Sequence, residues 1–386
     1  MNEPVEHFVD AQPYDKNANA SGQQTIENPE FDAPTWILIW RRFKQHRVAL
    51  VSALFLLLSY LMLPFVGFIA PYTANERNAN HLYAPPQGIS LFHQGSFIGP
   101  HVYPTTAKPD LENFRWQYRT DHDRPVKLEW FCSGAEHRFL GLVKTDKHLF
   151  CAPNGATVFL FGSDRLGRDV FSRILYGAQL SLTVGLIGIS VSFILGILFG
   201  SLAGYIGGKT DWTIQRLIEI LRSLPELPLW LALSAAVPSH WGPVAVFFII
   251  SIILGILDWP GLARAVRGKF LSLREEPYVQ AAEMMGANRK RIITKHLLPN
   301  FSSHLIASAM LSIPGMILGE TALSFLGLGL RAPAVSWGVM LNDAQNLAAI
   351  EIYPWTAIPM LPIILVVLAF NFLGDGLRDS LDPYSQ

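Results

Sequence analysis

Tyr278-Val279-Gln280-Ala281-Ala282-Glu283-Met284-Met285-Gly286-Ala287-Asn288-Arg289-Lys290-Arg291-Ile292-Ile293-Thr294-Lys295-His296-Leu297-Leu298-Pro299-Asn300 is a polar, helix-forming stretch held between two long apolar runs. Glu275, Glu276 and Pro277 ahead of it favour a helix start: carboxylates suit the positive end of the helix, and proline at the first helical position gives up no needed N–H. Gly286 suits the end of that helix and Asn288 the cap of a second. Arg289, Lys290, Arg291 and Lys295 make the second helix basic, and Pro299 marks the return to apolar sequence. The pattern predicts two short helices meeting at a glycine elbow. With little bulk at Ala281, Ala282 and Gly286, one face of the elbow would let another protein approach its backbone. A simple connector made helical by its alanines has the same periodicity.

Outward from the elbow, the chain of 386 residues is half hydrophobic and only 16% charged, too apolar for an ordinary soluble enzyme. Its formal net charge of zero gives no reason to expect a nucleic-acid partner. Val48 to Ala70 is unbroken apolar sequence, long enough at ~1.5 Å per residue to cross a hydrocarbon core of ~30 Å. Further spans are expected over 181–205, 217–237, 244–260, 301–330 and 355–373. Pro225 and Pro228 interrupt the third, and Glu320 lies deep in the fifth. Six membrane helices result. Arg41, Arg42, Lys44 and Arg47, then Arg264, Arg267, Lys269 and Arg274, assign the ends they flank to the cytoplasm, and with them both termini.

Residues 1–34 read as a disordered cytoplasmic tail, and 35–47 as an interfacial amphipathic helix. The polar stretch 71–162 reads as an extracytoplasmic domain inserted between the first two spans, with strand-like pieces such as Ala156 to Phe161. Its six histidines, His81, His93, His101, His122, His137 and His148, match no ligand spacing; scattered surface histidine, not a metal site, is expected. Cys132 and Cys151, the chain's two cysteines, share this domain, so a disulfide between them is open. Gly196, Gly200 and Gly204, four apart, predict close helix packing. Glu226 and Glu320 are ionisable groups within apolar runs and are candidates for a translocation path. For Glu320, hydrogen bonds to nearby backbone at a helix break are the favoured reading over substrate contact.

Gln280-Ala281-Ala282, Gly286 and Leu298-Pro299 resemble the EAA loop of ABC-importer permeases, with Gln280 in place of the leading glutamate and His296 where isoleucine is usual. Asp164, Gly167, Arg168, Asp169, Ser172 and Arg173 resemble the signature ahead of the second span in dipeptide and oligopeptide permease C-type subunits. Glu320 to Leu330, Ser336-Trp337-Gly338 and the close Gly374 to Pro383 are similar to the same group. The domain between the first two spans is not explained by the resemblance.

The resemblance implies an all-α, six-helix type I importer fold with residues 163–383 as its permease domain, and import of di- or oligopeptides. It also implies coupling through 275–300 to two ABC ATPases, pairing with a second homologous permease, and delivery by a periplasmic binding protein at the inner membrane. ATP and Mg would belong to the ATPase partners, leaving this chain with no cofactor. No Gly-x-x-x-x-Gly-Lys-Ser/Thr phosphate loop, His-Glu-x-x-His or Gly-x-Ser-x-Gly motif is present, so no enzymatic activity is expected. Other solutes of such permeases (nickel chelates, opines, glutathione, sugars) remain open, as does a self-sufficient secondary transporter.

Overall fold

The computed structural model describes residues 35–110, 115–139, 143–153, 156–238 and 240–381; the expected tail over 1–34 and the closing Asp382-Pro383 lie outside them. Helix α1 (Thr35–Gln45) precedes α2 (Arg47–Met62), which continues through a tight turn into α3 (Val66–Ile69). The combined run Arg47–Ile69 is the first of five helices, among the described residues, that are long and apolar enough to cross a membrane. The others contain α4 (Val170–Ile206), α7 (Pro243–Leu273), α10 (Leu298–Phe325) and α13 (Met360–Leu381).

Two expected spans differ in form. The third, 217–237, is not one helix: α5 (Gly208–Ser223) ends at Leu224, whose backbone is extended because Pro225 follows, and α6 (Glu226–Ala235) is only 10 residues long. The fourth does not stop at Pro260: α7 continues to Leu273 around that proline, which lies within the helix. Shorter helices among the described residues are α8 (Pro277–Met284), α9 (Arg289–Arg291), α11 (Trp337–Asp343) and α12 (Leu347–Ile352).

The segment before α4 corrects the all-α expectation. Among the described residues, seven strands form three small antiparallel units: a sheet ordered β1 (Ser90–His93), β2 (Ser96–Val102), β5 (Val126–Lys127); a hairpin of β3 (Thr105–Asp110) and β4 (Arg115–Thr120); and a hairpin of β6 (Glu129–Phe139) and β7 (Val143–Cys151). Ala156 to Phe161 is irregular, not a strand; Phe159 instead exchanges hydrogen bonds with Gln87, through its N–H to the side-chain oxygen and its carbonyl to the backbone N–H, both 2.8 Å. Nor do the histidines all lie on the surface. His101, His137 and His148 are buried, and the His148 ring sits between two carbonyls, Ala70 O at 2.6 Å from Nδ1 and Ala135 O at 2.9 Å from Nε2, tying β7 to the end of the first span. Cys132 and Cys151 come together as a disulfide across the β6–β7 hairpin, their Cα atoms 6.3 Å apart.

The bundle is held by close backbone approach where no hydrophobic effect separates helix from lipid. On α4, Gly196, Gly200 and Gly204 face α7; a Cβ at Gly200 would stand 2.6 Å from the carbonyl oxygen of Ala263, and one at Gly204 2.8 Å from that of Arg267. The same interface carries a half-buried polar bridge, Ser192 Oγ donating to Asp258 Oδ2 at 2.7 Å. Leu182, Ile313, Ile317, Trp337, Ile363 and Phe370 bring α4, α10, α11 and α13 into a shared core. The first span packs on α13, with the Tyr60 ring edge-on to Phe370.

Candidate functional site

Two assemblies stand out, at opposite ends of the bundle. The first is the elbow. Glu276 caps α8 with extended backbone and Pro277 opens it. At its far end the N–H of Ala287 bonds the carbonyl of Ala282 at 3.0 Å and the N–H of Gly286 that of Glu283 at 2.9 Å, while Gly286 has φ +81°. This is the paired-bond helix stop that requires a left-handed residue, which glycine adopts without a Cβ penalty. Asn288 then caps the next helix, its Oδ1 accepting from the N–H of Arg291 at 2.8 Å. A π turn over Ile292–Leu297 follows, with the Leu298 N–H reaching back to Ile293 O. Pro299, next in line, has no N–H to restore the α register.

The inner side of the elbow is anchored. Val279, Ile292, Leu297 and Phe301 bury against Val266, Phe270 and Leu273 of α7. Tyr205, at the end of α4, donates to Glu283 Oε1 at 2.7 Å, and Asn300 Nδ2 donates to the Tyr278 hydroxyl at 3.1 Å. Of the small-residue face read from the sequence, Ala281 and Gly286 are exposed with Gln280, but Ala282 is turned inward and buried. The exposed tip carries bulk after all: Met284 and Met285 are 89% and 82% exposed. His296 and Leu298 are half-buried along the second arm, and Pro299 is exposed.

At the other end, residues 162–173 fold back before α4 as a closed loop. Asp164 Oδ1 accepts from the N–H groups of Leu166 and Arg168, and Gly167 turns with φ +72°. Asp169 caps α4, its Oδ2 accepting from the N–H (2.8 Å) and hydroxyl (2.6 Å) of Ser172. Its Oδ1 has no hydrogen-bond partner among the described residues, and full burial pushes the carboxyl up to about 7 despite the Ser172 bonds that favour its charge. The three arginines of the loop converge with Asp164 on a residue the sequence did not single out, Asp343 at the end of α11. Arg168 reaches Asp164 (2.6 Å) and Asp343 (2.7 Å), Arg173 reaches both at 3.1 Å, and the more exposed Arg165 meets Asp343 at 3.1 Å. Arg168 and Arg173 are buried, so the lattice fixes α11 to the head of α4 and would be costly to break on one side. The excess of arginine over aspartate in the loop was the available clue that another acid was needed.

Glu320, beneath this lattice, is fully buried on α10. It does not bond backbone and α10 does not break there. Its carboxylate accepts from three hydroxyls: Ser181 of α4 (3.2 Å), Ser324 of α10 (2.7 Å) and Ser336 ahead of α11 (2.7 Å). Each serine oxygen in turn accepts a backbone N–H, from Trp337, Leu330 and Val339 respectively. Glu320 is thus the hub joining α4, α10 and α11. Glu226 is exposed in the first turn of α6, where a carboxylate complements the helix dipole. A bidentate pair missed in the sequence, Arg267 with Asp211 at 2.5 and 2.6 Å, holds α5 to α7.

Residues 196–384 match the family model of the binding-protein-dependent transport system inner membrane component, and residues 35–86 that of the N-terminal TM domain of oligopeptide transport permease C. The oligopeptide transport system permease protein OppC of Haemophilus influenzae is 42% identical over 60% of this chain and 72% of that protein. The dipeptide transport system permease protein DppC of Bacillus subtilis is 43% identical over 58% of this chain and 68% of that protein. DppC of Lactococcus lactis is 31% identical over 89% of each chain, and so reaches into the β region as well. With five apolar helices of spanning length among its described residues, the chain is a multi-pass inner-membrane protein and belongs to the family of binding-protein-dependent transport system inner membrane components, among the C-type permease subunits of peptide ABC importers.

Proposed function

We propose that this chain forms one half of the transmembrane pathway of an ATP-driven importer of di- or oligopeptides and performs no chemistry itself. A second homologous permease would complete the pathway, two ATPases carrying ATP and Mg would drive it from the cytoplasm, and a periplasmic binding protein would deliver the peptide. The names and coverage of the relatives support the peptide assignment over nickel chelates, opines, glutathione or sugars, and over a self-sufficient transporter.

The observation that carries the mechanism is the elbow of Gly286. Its inner face is bonded to the ends of α4 and α7 while Gln280, Ala281, Met284 and Met285 stay exposed. A partner pressing on that tip moves two spanning helices with it. An ATPase whose grip differs between its open and closed states would bias the bundle between inward- and outward-facing arrangements, as coupling requires.

Six crossings fit this reading better than five. His46, ahead of α2, lies beside Gly376 near the end of α13, so the first and last spans have their outer termini at one end of the bundle. That needs an even number of crossings, and α5 with α6 supplies the remaining one in two pieces. Both termini and the elbow then share the cytoplasmic side, and the β domain with the Asp164 lattice faces the periplasm.

The test is ATPase activity and peptide uptake by the reconstituted complex carrying Ala281→Trp or Gly286→Val. Uptake is expected to be lost while ATP hydrolysis either stops or runs uncoupled from peptide. Normal uptake by both variants would refute the docking role.

A further inference from the structure

The β6–β7 hairpin presents two adjacent rings, Trp130 at 55% and Phe131 at 67% exposure, that neither assembly above uses. Phe131 has φ +55°, a left-handed backbone that bulky residues seldom adopt. Beside it, Cys132 is joined across the hairpin to Cys151. Both rings are tied to the ends of helices long and apolar enough to span a membrane. Phe131 packs at 6.1 Å on Phe68, in the last turn of the first span. Trp130 packs at 6.5 Å on Phe150, which packs at 6.3 Å on Phe171 in the first turn of α4.

The height of these contacts follows from helix length. The run Arg47–Ile69 has 23 residues, about 34 Å at ~1.5 Å each, against a hydrocarbon core of ~30 Å. With Arg47 among the headgroups of one leaflet, Phe68 and the Phe131 ring against it stand among those of the other. Below them the first span exposes Leu54, Leu58, Leu61 and Phe65, a surface suited to acyl chains; the neighbouring Lys127 and Glu129 are exposed and charged, suited to water and headgroups. Aromatic rings at that boundary are what a lipid interface favours.

We propose that Trp130 and Phe131 are immersed in the phospholipid headgroup layer and set the height of the β domain on the bilayer. The hairpin is then a peripheral membrane anchor between the first two spans, whatever solute the protein carries.

The test uses the full-length chain in phosphatidylcholine vesicles, with the Trp130 emission isolated as the difference between wild type and Trp130→Phe. Phospholipid brominated near the carbonyl end of its acyl chains is expected to remove roughly half of that emission or more, bromine near the chain terminus less, and aqueous iodide little. Phe131→Asp is expected to reduce the bromolipid quenching at least about twofold, since a carboxylate disfavours the interface. Trp130→Tyr provides a second difference should the phenylalanine variant assemble poorly. Quenching by iodide without quenching by bromolipid would place the pair in water, and quenching by neither would place it under the protein's own surface or a second copy of it; either result overturns the proposal. The readout is optical, so it can fail without touching the transport reading, and the converse holds.

Discussion

Replacing Glu320 separates a structural hub from a substrate contact. The carboxylate receives three hydroxyl bonds within a fully buried site, and each serine is committed on its other side to a backbone N–H. In Glu320→Ala all three hydroxyls lose their acceptor. A buried donor left unsatisfied costs about 1–3 kcal/mol, and partial relaxation among the serines makes about 3–6 kcal/mol for the three together a reasonable total. Glu320→Gln keeps one oxygen, enough for Ser324 and Ser336, but turns an N–H₂ group toward Ser181; one bond fails, at about 1–2 kcal/mol.

The assay is thermal unfolding of the purified protein in lipid nanodiscs, followed by calorimetry, with peptide uptake measured beside it. The expected order is wild type, then glutamine, then alanine, with uptake falling in proportion to folded protein. Alanine as stable as wild type would refute the hub. A stable glutamine variant with a raised KM for peptide would restore the substrate-contact reading.

Further outcomes follow from the same contacts. Gly200→Val would push α4 off α7, because even a Cβ there would lie 2.6 Å from the Ala263 carbonyl oxygen; loss of folded protein is expected by gel filtration, and a normal elution profile would count against the packing. Asp343→Ala leaves Arg168 and Arg173 buried without one of their two acids, a loss of about 3–5 kcal/mol readable as a lowered Tm, whereas Arg165→Ala, at the exposed rim, is expected to change Tm little.

Asp169, with its carboxyl raised to about 7, holds its proton more tightly folded than unfolded. Stability is therefore expected to fall as pH rises from about 4 through 7, by at most about 4 kcal/mol. Asp169→Asn, which keeps the cap but cannot ionise, should be more stable than wild type at pH 8 and about equal at pH 4. Equal stability at both pH values would refute the buried charge.

Local chemistry was legible in the sequence and long-range partnership was not. Gly286 and Asn288 announced the elbow because a left-handed stop and an Asx cap are properties of single residues. Gly196, Gly200 and Gly204 announced the α4–α7 seam because their spacing alone makes a bare stripe. Asp343 gave no such signal: it is 170 residues from Arg173, and only the fold brings them together. The three serines around Glu320 were equally silent, and so a carboxylate read as bonding backbone at a helix break turned out to bond side chains within a continuous helix. Ala282 was misread for a related reason, since its small size says nothing about which side of α8 meets α7. The strands were obscured because short edge-rich hairpins dense in histidine, proline and charge carry weak period-two alternation.

The most direct test of the account is where the elbow lies. With Met284, at its exposed tip, replaced by cysteine and Cys132 paired with Cys151, a membrane-impermeant maleimide should label the protein in inside-out vesicles and leave right-side-out vesicles unlabelled. Labelling from the outer face instead would put the elbow beyond reach of any cytoplasmic ATPase and contradict the coupling mechanism.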